Sequence, residues 1–292
     1  LYALIYMNTN SFILFLTLLL FDTCLVNNNS LVSVQQKHTK ELNVSSTADN
    51  PSTEQRLLQM LDRKDFFRLK TLLQEKKDEL PQYIVLYIEA NLQNAFNQTE
   101  QSLLTIDKLL SNYRKSLSDA FLYRIYAIKY DNLFNQYHYK KAAESLKIAI
   151  DKYGHAVDSA ELTRSRKEKY DFVNSLRKFP VQKMHITTDV SIPISLNQYN
   201  HIILNVSSGE QSENFIFDTG ASNIVTESSA QRLGIRILES EASIEGAVGK
   251  KVQSKVGLAD KLWIGDLMFE NVVFKVMPDE LLTFPAANYV IH

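Results

Sequence analysis

The distribution of glycine constrains the fold of this chain more than any other feature of its sequence. Of the 8 glycines, only Gly154 precedes Pro180. Tight turns between strands need glycine, because it adopts positive φ angles at no steric cost, whereas helix interiors exclude it. The sequence therefore predicts helices before Pro180 and strands joined by tight turns after it, in a chain of 292 residues that has room for two domains.

The segment 53–179 carries a helical pattern, broken only by Pro81 and Gly154. Apolar residues recur in it at i, i+3 and i+4 spacing, which predicts a helical domain. Two groups illustrate the spacing: Leu57, Leu58 and Leu61, and then Phe66, Leu69, Leu72 and Leu73. An aromatic stripe is predicted to pack in the interior of this domain: Tyr123, Tyr126 and Tyr130.

Two stretches of the helical segment echo each other at a period of roughly 38 to 40 residues. Ala90–Tyr113 contains Phe96-Asn97-Gln98, and Ala127–Tyr153 contains Phe134-Asn135-Gln136. Each copy reads as a helix, a short polar turn and a second helix. The pattern is similar to tetratricopeptide repeats, although the period is longer. Such hairpins bind protein partners or act as spacers, and the sequence leaves both roles open.

The most informative motif for function is Phe-Asp-Thr-Gly-Ala-Ser at Phe217–Ser222. A predicted hairpin, from the strand His201–Val206 through Gly209 to Phe215–Phe217, delivers Asp218 to the motif. A second apolar run and a short helix over Glu227–Leu233 follow. This order predicts a carboxylate at the mouth of a loop. The alternative is an ordinary turn in which the Asp218 side chain caps its own backbone.

From about Ile192 onward the chain resembles the retropepsin-like aspartic peptidases, which carry a single Asp-Thr-Gly. The resemblance implies an all-β, barrel-like acid protease domain over residues 180–292. It implies that Asp218 is the catalytic carboxylate, that the Thr219 hydroxyl locks paired loops together, and that Gly220 lets the backbone approach the substrate. The residues that follow are expected to bind substrate: Ala221, Ser222 and Asn223.

Hydrolysis of an amide by carboxylates needs two of them sharing one proton, because like charges about 3 Å apart do not both ionise. One carboxylate takes a proton from a bound water while the other polarises the scissile carbonyl. A single Asp-Thr-Gly is therefore half of such a site. We expect the second half from a symmetric homodimer; the alternative is a second motif beyond residue 292.

A glycine-bearing segment, Ala242–Val252, is predicted to form a hairpin that closes over a peptide as a flap. Its tip residues are the expected substrate contacts: Gly246, Ala247, Val248 and Gly249. The alternative is a surface hairpin with a bulge. Short strands are predicted after it over Lys255–Leu258, Lys261–Ile264 and Phe269–Met277, with a turn at Gly265-Asp266.

Both ends of the chain suggest an excerpt from a longer reading frame. Members of the resembling family return to the active centre through a strand that ends in two apolar residues and a glycine, and the chain stops at Asn288–His292 before such a glycine. The first residue is Leu1 rather than Met. We therefore expect the protease domain to be truncated at its C-terminal end.

Residues 1–26 are predicted to be a signal peptide or a membrane anchor, because Phe12–Phe21 is a short apolar run after Met7. Residues 27–52 are polar and read as a linker. The expected location is the periplasm or cell envelope of a bacterium. Cys24 fits a lipidation signal poorly, and N-terminal sequencing of secreted protein would separate a cleaved signal from an anchor.

Composition excludes several classes of function. The 32 basic and 33 acidic residues leave a formal net charge of −1, which argues against nucleic-acid binding. Cys24 is the only cysteine, so disulfides and thiol catalysis are not expected. The 6 histidines show no metal-binding spacing, and no metal or cofactor is expected.

Two functions from different classes remain. The first is an aspartic endopeptidase that acts on a peptide or protein substrate as a dimer. The second is a non-catalytic interaction scaffold, in which helical repeats bind a protein partner and a protease-like domain only binds peptides. Inhibitors that mimic a tetrahedral intermediate separate the two, since only an enzyme binds them better than plain peptides.

Overall fold

The computed structural model describes residues 3–7, 51–218, 222–245, 251–284 and 289–290. These residues divide into two compact units. One contains residues 51–136 and 141–166, and the other contains the first strand, residues 137–140 and the described residues from 167 onward. After the strand at Ala3–Met7, helices occupy the described chain up to residue 175 and strands predominate from residue 183 onward, so the predicted order of a helical region and then a β region is confirmed.

Eight α-helices lie between Thr53 and Ser175 in the described chain: α1 (Thr53–Asp62), α2 (Phe66–Lys76), α3 (Gln82–Ala95), α4 (Thr99–Tyr113), α5 (Asp119–Asn135), α6 (Tyr139–Tyr153), α7 (Ser159–Arg164) and α8 (Asp171–Ser175). A π-helical stretch, Ser165–Tyr170, joins α7 to α8. The first six form three successive hairpins. Ser52 caps α1, since its Oγ accepts from the Gln55 N–H while Gln55 accepts from the Ser52 N–H.

Each hairpin turns through one residue with positive φ: Lys64 at 57°, Asn97 at 58° and Tyr137 at 59°. The two predicted hairpins are therefore present, and α1–α2 is a further one. The Phe-Asn-Gln echo is not structurally equivalent between copies. Asn97 occupies the turn, whereas Asn135 is the last residue of α5 and the turn residue is Tyr137. The likeness to tetratricopeptide repeats stays a prediction.

The helical unit has an apolar core with a polar network inside it. The predicted tyrosine stripe is buried, with Tyr123 at 1% exposure, and the Tyr123 hydroxyl donates to Ser165 Oγ over 2.8 Å. Asn132 is fully buried and donates to Ser102 Oγ (2.8 Å), and Asn94 donates to Asn132 Oδ1 (3.0 Å). The bonds that Asn132 makes with Ser102 and Asn94 join the second helical hairpin to the third in one register.

The strands are β1 (Ala3–Met7), β2 (Lys183–His185), β3 (Val190–Leu196), β4 (Ile202–Ser208), β5 (Gln211–Phe217), β6 (Ile224–Thr226), β7 (Arg236–Glu245), β8 (Lys251–Ile264), β9 (Leu267–Met277), β10 (Thr283–Phe284) and β11 (Tyr289–Val290). Two short helices interrupt them, α9 (Glu227–Arg232) and α10 (Asp279–Leu282).

Nine strands form one sheet, and β10 pairs with β11 in a second. The main path runs β1-β3-β4-β8-β9-β2, with β5 on β4, β6 on β9 and β7 on β8. Among the described pairings of this sheet, only β6 with β9 is parallel. The core of the β unit is built by alternate residues of these strands, such as Val272, Phe274 and Val276 on β9.

One strand prediction was wrong. The predicted separate strands Lys255–Leu258 and Lys261–Ile264 are parts of one continuous strand, β8. Asp260 interrupts the apolar pattern, but pairing with β9 continues on both sides of it, with Ala259 opposite Val272 and Lys261 opposite Glu270. The predicted turn at Gly265-Asp266 is confirmed, with Gly265 at φ 56°.

Gly257, within β8, serves packing rather than turning. A Cβ atom built there would lie 2.8 Å from Cγ2 of Ile235 and 2.8 Å from Cγ2 of Val276. Both neighbours are stiff β-branched or core side chains, so little room exists for a side chain at this position. Trp263, near the end of the same strand, is half-buried and pairs with Met268.

The described part of the predicted leader is β1, which pairs antiparallel with β3 from Ala3↔Ile194 to Met7↔Val190. Phe12–Phe21 and the predicted linker up to residue 50 lie outside the described residues. Among the helices that the structure describes, none combines the length and apolar character needed to cross a membrane. Export stays a prediction.

Candidate active site

Asp218 follows directly on the last residue of β5. The β4–β5 hairpin pairs from Ser208↔Gln211, across a two-residue turn with Gly209 at φ 60°, to Ile202↔Phe217. Phe217 is partly buried against the core, and Asp218 is exposed. The strand thus carries the carboxylate out of the core and presents it at the strand end, as the sequence predicts.

Several predicted site residues lie outside the described part of the chain. They are Thr219, Gly220 and Ala221 of the Asp-Thr-Gly motif, and Gly246, Ala247, Val248 and Gly249 of the predicted flap tip. Their expected roles stay predictions. The predicted site residues that the structure describes are Asp218, Ser222 and Asn223, and the last two are half-buried.

Asn223 is bound to β9 at two points. Its side-chain Nδ2 donates to the main-chain oxygen of Val273 over 3.2 Å, and its main-chain oxygen accepts from the Lys275 N–H over 2.9 Å. The resemblance implied that Asn223 binds substrate, whereas this amide group donates to the protein's own sheet. Sequence reasoning missed the contact because the partners are 50 positions apart.

The chain after Asn223 is anchored in the core. β6 runs parallel to β9, with Val225 paired to Val276 and Thr226 to Met277. Thr226 is fully buried, and its Oγ1 accepts from the Ser229 N–H over 3.1 Å, which caps α9. The predicted short helix is therefore present, and it ends before Gly234, which has φ 63°.

Polar contacts tie α9 to three other elements. Lys255 Nζ of β8 lies 2.7 Å from Glu227 Oε1, and Arg232 Nε donates to Glu213 of β5. The Ser228 hydroxyl donates to Asp279, whose other carboxylate oxygen accepts from the Ser228 N–H over 3.1 Å. The helix that follows the Asp218 loop is thereby joined to the strand before that loop and to the segment after β9.

The hydrogen bonds from the Ser228 hydroxyl hold the pKa of the Asp279 carboxyl below its usual range, and the Ser228 N–H and Arg232 add to this effect. Because the folded-state pKa is lowered, the contribution to stability is present above the ordinary Asp pKa of about 3.9 and is lost as pH falls through the folded value.

Replacing Asp279 by Asn is expected to lower the free energy of unfolding by about 1 kcal/mol or less at pH 7, since the carboxyl is largely solvated. The difference from the wild type should shrink as pH falls below about 3.9, where the unfolded carboxyl is protonated, and disappear once pH is below the lower folded-state pKa. Urea denaturation at pH 7 and pH 3 measures both. Asp260→Asn is the matched control, because its ion pair with Arg236 is 78% exposed on the Asp side. An equal loss at both pH values would contradict the assignment.

The predicted flap hairpin is formed by β7 and β8. Pairing runs from Arg236↔Leu258 to Glu245↔Lys251, with an irregularity between Leu238 and Glu241. β9 pairs with β8 only from Lys255 onward, so the outer part of the hairpin, Glu241–Glu245 with Lys251–Ser254, has no β9 beside it. We call this outer part the ribbon. Its flap function stays a prediction.

No group of three or more histidine, cysteine, aspartate or glutamate side chains suited to hold a metal ion occurs within the ranges the structure describes. The described part of the candidate site consists of one exposed carboxylate at the end of β5 and the contacts that fix the chain after it to β9.

The segment that carries this geometry matches a known protein family. Residues 204–284 match the family model of aspartyl proteases. The predicted resemblance is thereby confirmed for the aspartyl-protease-like region, which starts within β4, includes Asp218 and the ribbon, and ends at β10. The match covers this part of the chain and not the helical region.

The chain is also similar to a solved structure, a retropepsin-like aspartic protease from Rickettsia conorii. The two are 22% identical over 33% of this chain and 74% of that one, with a TM-score of 0.25. A search among curated proteins found no match.

Proposed function

We propose that the protein is an aspartic endopeptidase in which Asp218 activates water for hydrolysis of a peptide bond. The observation that carries this proposal is the exposed carboxylate at the end of β5, within the region that matches aspartyl proteases. The chain is fixed on both sides of this carboxylate. Here β5 precedes Asp218, and Asn223 with β6 fastens the chain that follows it.

The proposed reaction uses two carboxylates that share one proton. The ionised carboxylate takes a proton from a water molecule, whose oxygen attacks the scissile carbonyl carbon, and the protonated carboxyl gives its proton to the carbonyl oxygen. The tetrahedral intermediate then collapses. The C–N bond breaks as the protonated carboxyl gives its proton to the leaving nitrogen. One hydroxyl of the intermediate gives its proton to the other carboxylate as the new C=O forms, so the two carboxyls again share one proton.

We propose that the second carboxylate is Asp218 of a second copy of the chain. The 292 residues contain one Asp-Thr-Gly, so one copy of this sequence supplies half of the pair. A twofold axis would place two identical loops face to face, as an isologous interface does. A second motif in the same polypeptide beyond residue 292 is the alternative source.

The proposed substrate is an extended peptide that lies between the Asp218 loop and the ribbon. A strand edge offers main-chain donors and acceptors to such a peptide, so it binds many sequences through backbone hydrogen bonds. Among the described strands only β8 pairs with β7, and we propose that the peptide pairs along the other edge of β7 within the ribbon.

A peptide in which a tetrahedral hydroxyl-bearing carbon replaces the scissile carbonyl is expected to bind at least about 100-fold more tightly than the plain peptide. An active site of this kind is complementary to the intermediate, whereas a peptide-binding scaffold is not. Competition in a peptide-cleavage assay, with calorimetry as a direct measure of affinity, tests this. Equal affinity of the two peptides would support the scaffold and overturn the proposed activity.

A further inference from the structure

We propose that Asn223 is a positioning residue of the Asp218 loop, which it fastens to β9, rather than a residue that binds substrate. This inference rests on the proposed function. It concerns the six residues from Asp218 to Asn223, whose two ends are both held by described contacts.

The near end of the loop is held by β5. Phe217 pairs with Ile202 of β4, and Phe215, two residues earlier, packs its ring 6.3 Å from the ring of Phe274 on β9. A chain that leaves a paired strand has its first residue placed by the ladder behind it. The direction in which Asp218 emerges is therefore set by β4 and β9 together.

The far end of the loop is held by Asn223. Its main-chain oxygen accepts from the Lys275 N–H, which is the first rung of the parallel ladder between β6 and β9. In a regular parallel ladder the next rung would bring a main-chain N–H of the incoming strand to the oxygen of Val273. The side-chain amide of Asn223 takes that place, at 3.2 Å. The ladder thus extends by one rung through a side chain.

The contact with the Val273 oxygen requires a hydrogen-bond donor on a side chain as long as that of asparagine. Val273 presents a carbonyl oxygen, so a carboxylate at position 223 would face it with no proton to give, and an alanine would leave it without this bond. Asn223 is half-buried, and loss of a partly buried hydrogen bond costs about 1 kcal/mol. That cost is too small to unfold the sheet, but it removes one of the two bonds that hold this end of the loop to β9.

Release of the loop would affect catalysis more than binding. A displacement of about 1 Å in a catalytic group costs on the order of 100-fold in rate, because the reacting atoms must be aligned. A peptide held along a strand edge has most of its contacts elsewhere. We therefore expect substitutions of Asn223 to lower kcat and leave KM nearly unchanged, whereas a residue that binds substrate would change KM.

The test compares Asn223→Ala and Asn223→Asp with the wild type in the full chain, with peptide hydrolysis measured at pH 3.5 and pH 6. Asn223→Ala should lower kcat by about 10- to 100-fold at both pH values, with KM within about 3-fold. Asn223→Asp should match it at pH 6 and recover to within about 3-fold of the wild type at pH 3.5. A carboxyl with a pKa of about 3.9 is then largely protonated and donates to Val273. Ratios to the wild type at each pH remove the pH dependence that the wild type and the variants share.

Asn205→Ala is the matched control. Asn205 lies exposed on β4, and its side-chain amide donates to Glu213 and Asn214 of the neighbouring strand β5. It should leave kcat and KM unchanged. An increase in KM at constant kcat for Asn223→Ala would overturn the inference in favour of a substrate contact. So would the absence of recovery for Asn223→Asp at pH 3.5.

Hydrogen exchange of the Lys275 amide gives a readout that needs no activity. Loosening of the loop end in Asn223→Ala should speed its exchange by about 10-fold or more, since its acceptor is the Asn223 main-chain oxygen. An unchanged rate would overturn the fastening role. If the wild type cleaves no peptide, the proposed function fails, and this measurement still decides whether Asn223 holds the loop to β9.

Discussion

Asp218→Asn is expected to lower kcat/KM for peptide hydrolysis by about 1,000-fold or more and to change the free energy of unfolding by less than about 0.5 kcal/mol. An amide has nearly the shape of a carboxyl group but neither accepts the proton of the attacking water nor returns one to the leaving nitrogen. The exposed position of Asp218 means that the substitution buries nothing new. Steady-state kinetics and urea denaturation of the same preparation measure both quantities.

Asp266→Asn serves as the matched control, since Asp266 is also exposed in a turn of the same sheet. It should retain full activity. Mixing wild-type chains with an excess of Asp218→Asn chains tests the proposed dimer, because a shared pair of carboxylates makes each mixed dimer inactive. Retention of activity in Asp218→Asn on a verified substrate would remove the assignment. Activity that is unaffected by mixing would favour a second motif in the same polypeptide.

Phe274→Ala is expected to destabilise the β unit by about 3–5 kcal/mol. Phe274 is 5% exposed in the core, on the strand that pairs with both β8 and β6, and its ring contacts that of Phe215 ahead of Asp218. Removing the ring leaves a cavity lined by stiff strands that relax only partly. A loss of this size is a large part of the 5–15 kcal/mol typical of a domain, so activity should fall as the folded fraction falls.

Phe67→Ala is the control for this prediction, because it makes the same chemical change at a side chain that is 78% exposed on α2. We expect a cost below about 1 kcal/mol there. Thermal unfolding followed by circular dichroism compares the two variants. A similar small cost at Phe274 would show that β9 is not the central support of the site.

Local signals in the sequence were sufficient to predict much of the β region. Gly209 and Gly265 mark two-residue turns with positive φ, and the strands beside them were predicted in pairs. Thr226, which caps α9, and Gly234, just after the helix, mark its two ends. These features depend on residues within a few positions of one another, so periodicity and turn chemistry suffice to find them.

Contacts between distant residues could not be predicted in this way. Asn223 reaches Val273 across 50 positions, and Ser228 reaches Asp279 across 51. Nothing in either local sequence distinguishes these polar residues from solvated ones. The exposure of Asp218 was predictable because it follows from strand order alone, whereas the fastening of its loop depends on which strand comes to lie beside β6.

In the helical region, the tyrosine stripe was predicted correctly, but the repeat was placed two residues out of register. The prediction aligned the two helical hairpins by their Phe-Asn-Gln triplets and not by their turns. The turn is marked by the residue with positive φ, which is Asn97 in one hairpin and Tyr137 in the next. Tyrosine carries no turn signal, so this position is set by the packing of the helices on either side.

The two-stranded ribbon has a consequence for peptide binding. Two paired strands without a third neighbour are marginally stable in water, and the pairing irregularity between Leu238 and Glu241 lies where β9 stops flanking β8. A peptide that pairs with β7 on the side opposite β8 would turn the two-stranded ribbon into a three-stranded sheet. The bound peptide would then act as the third strand, and we expect the ribbon to be more ordered with a peptide bound than without one.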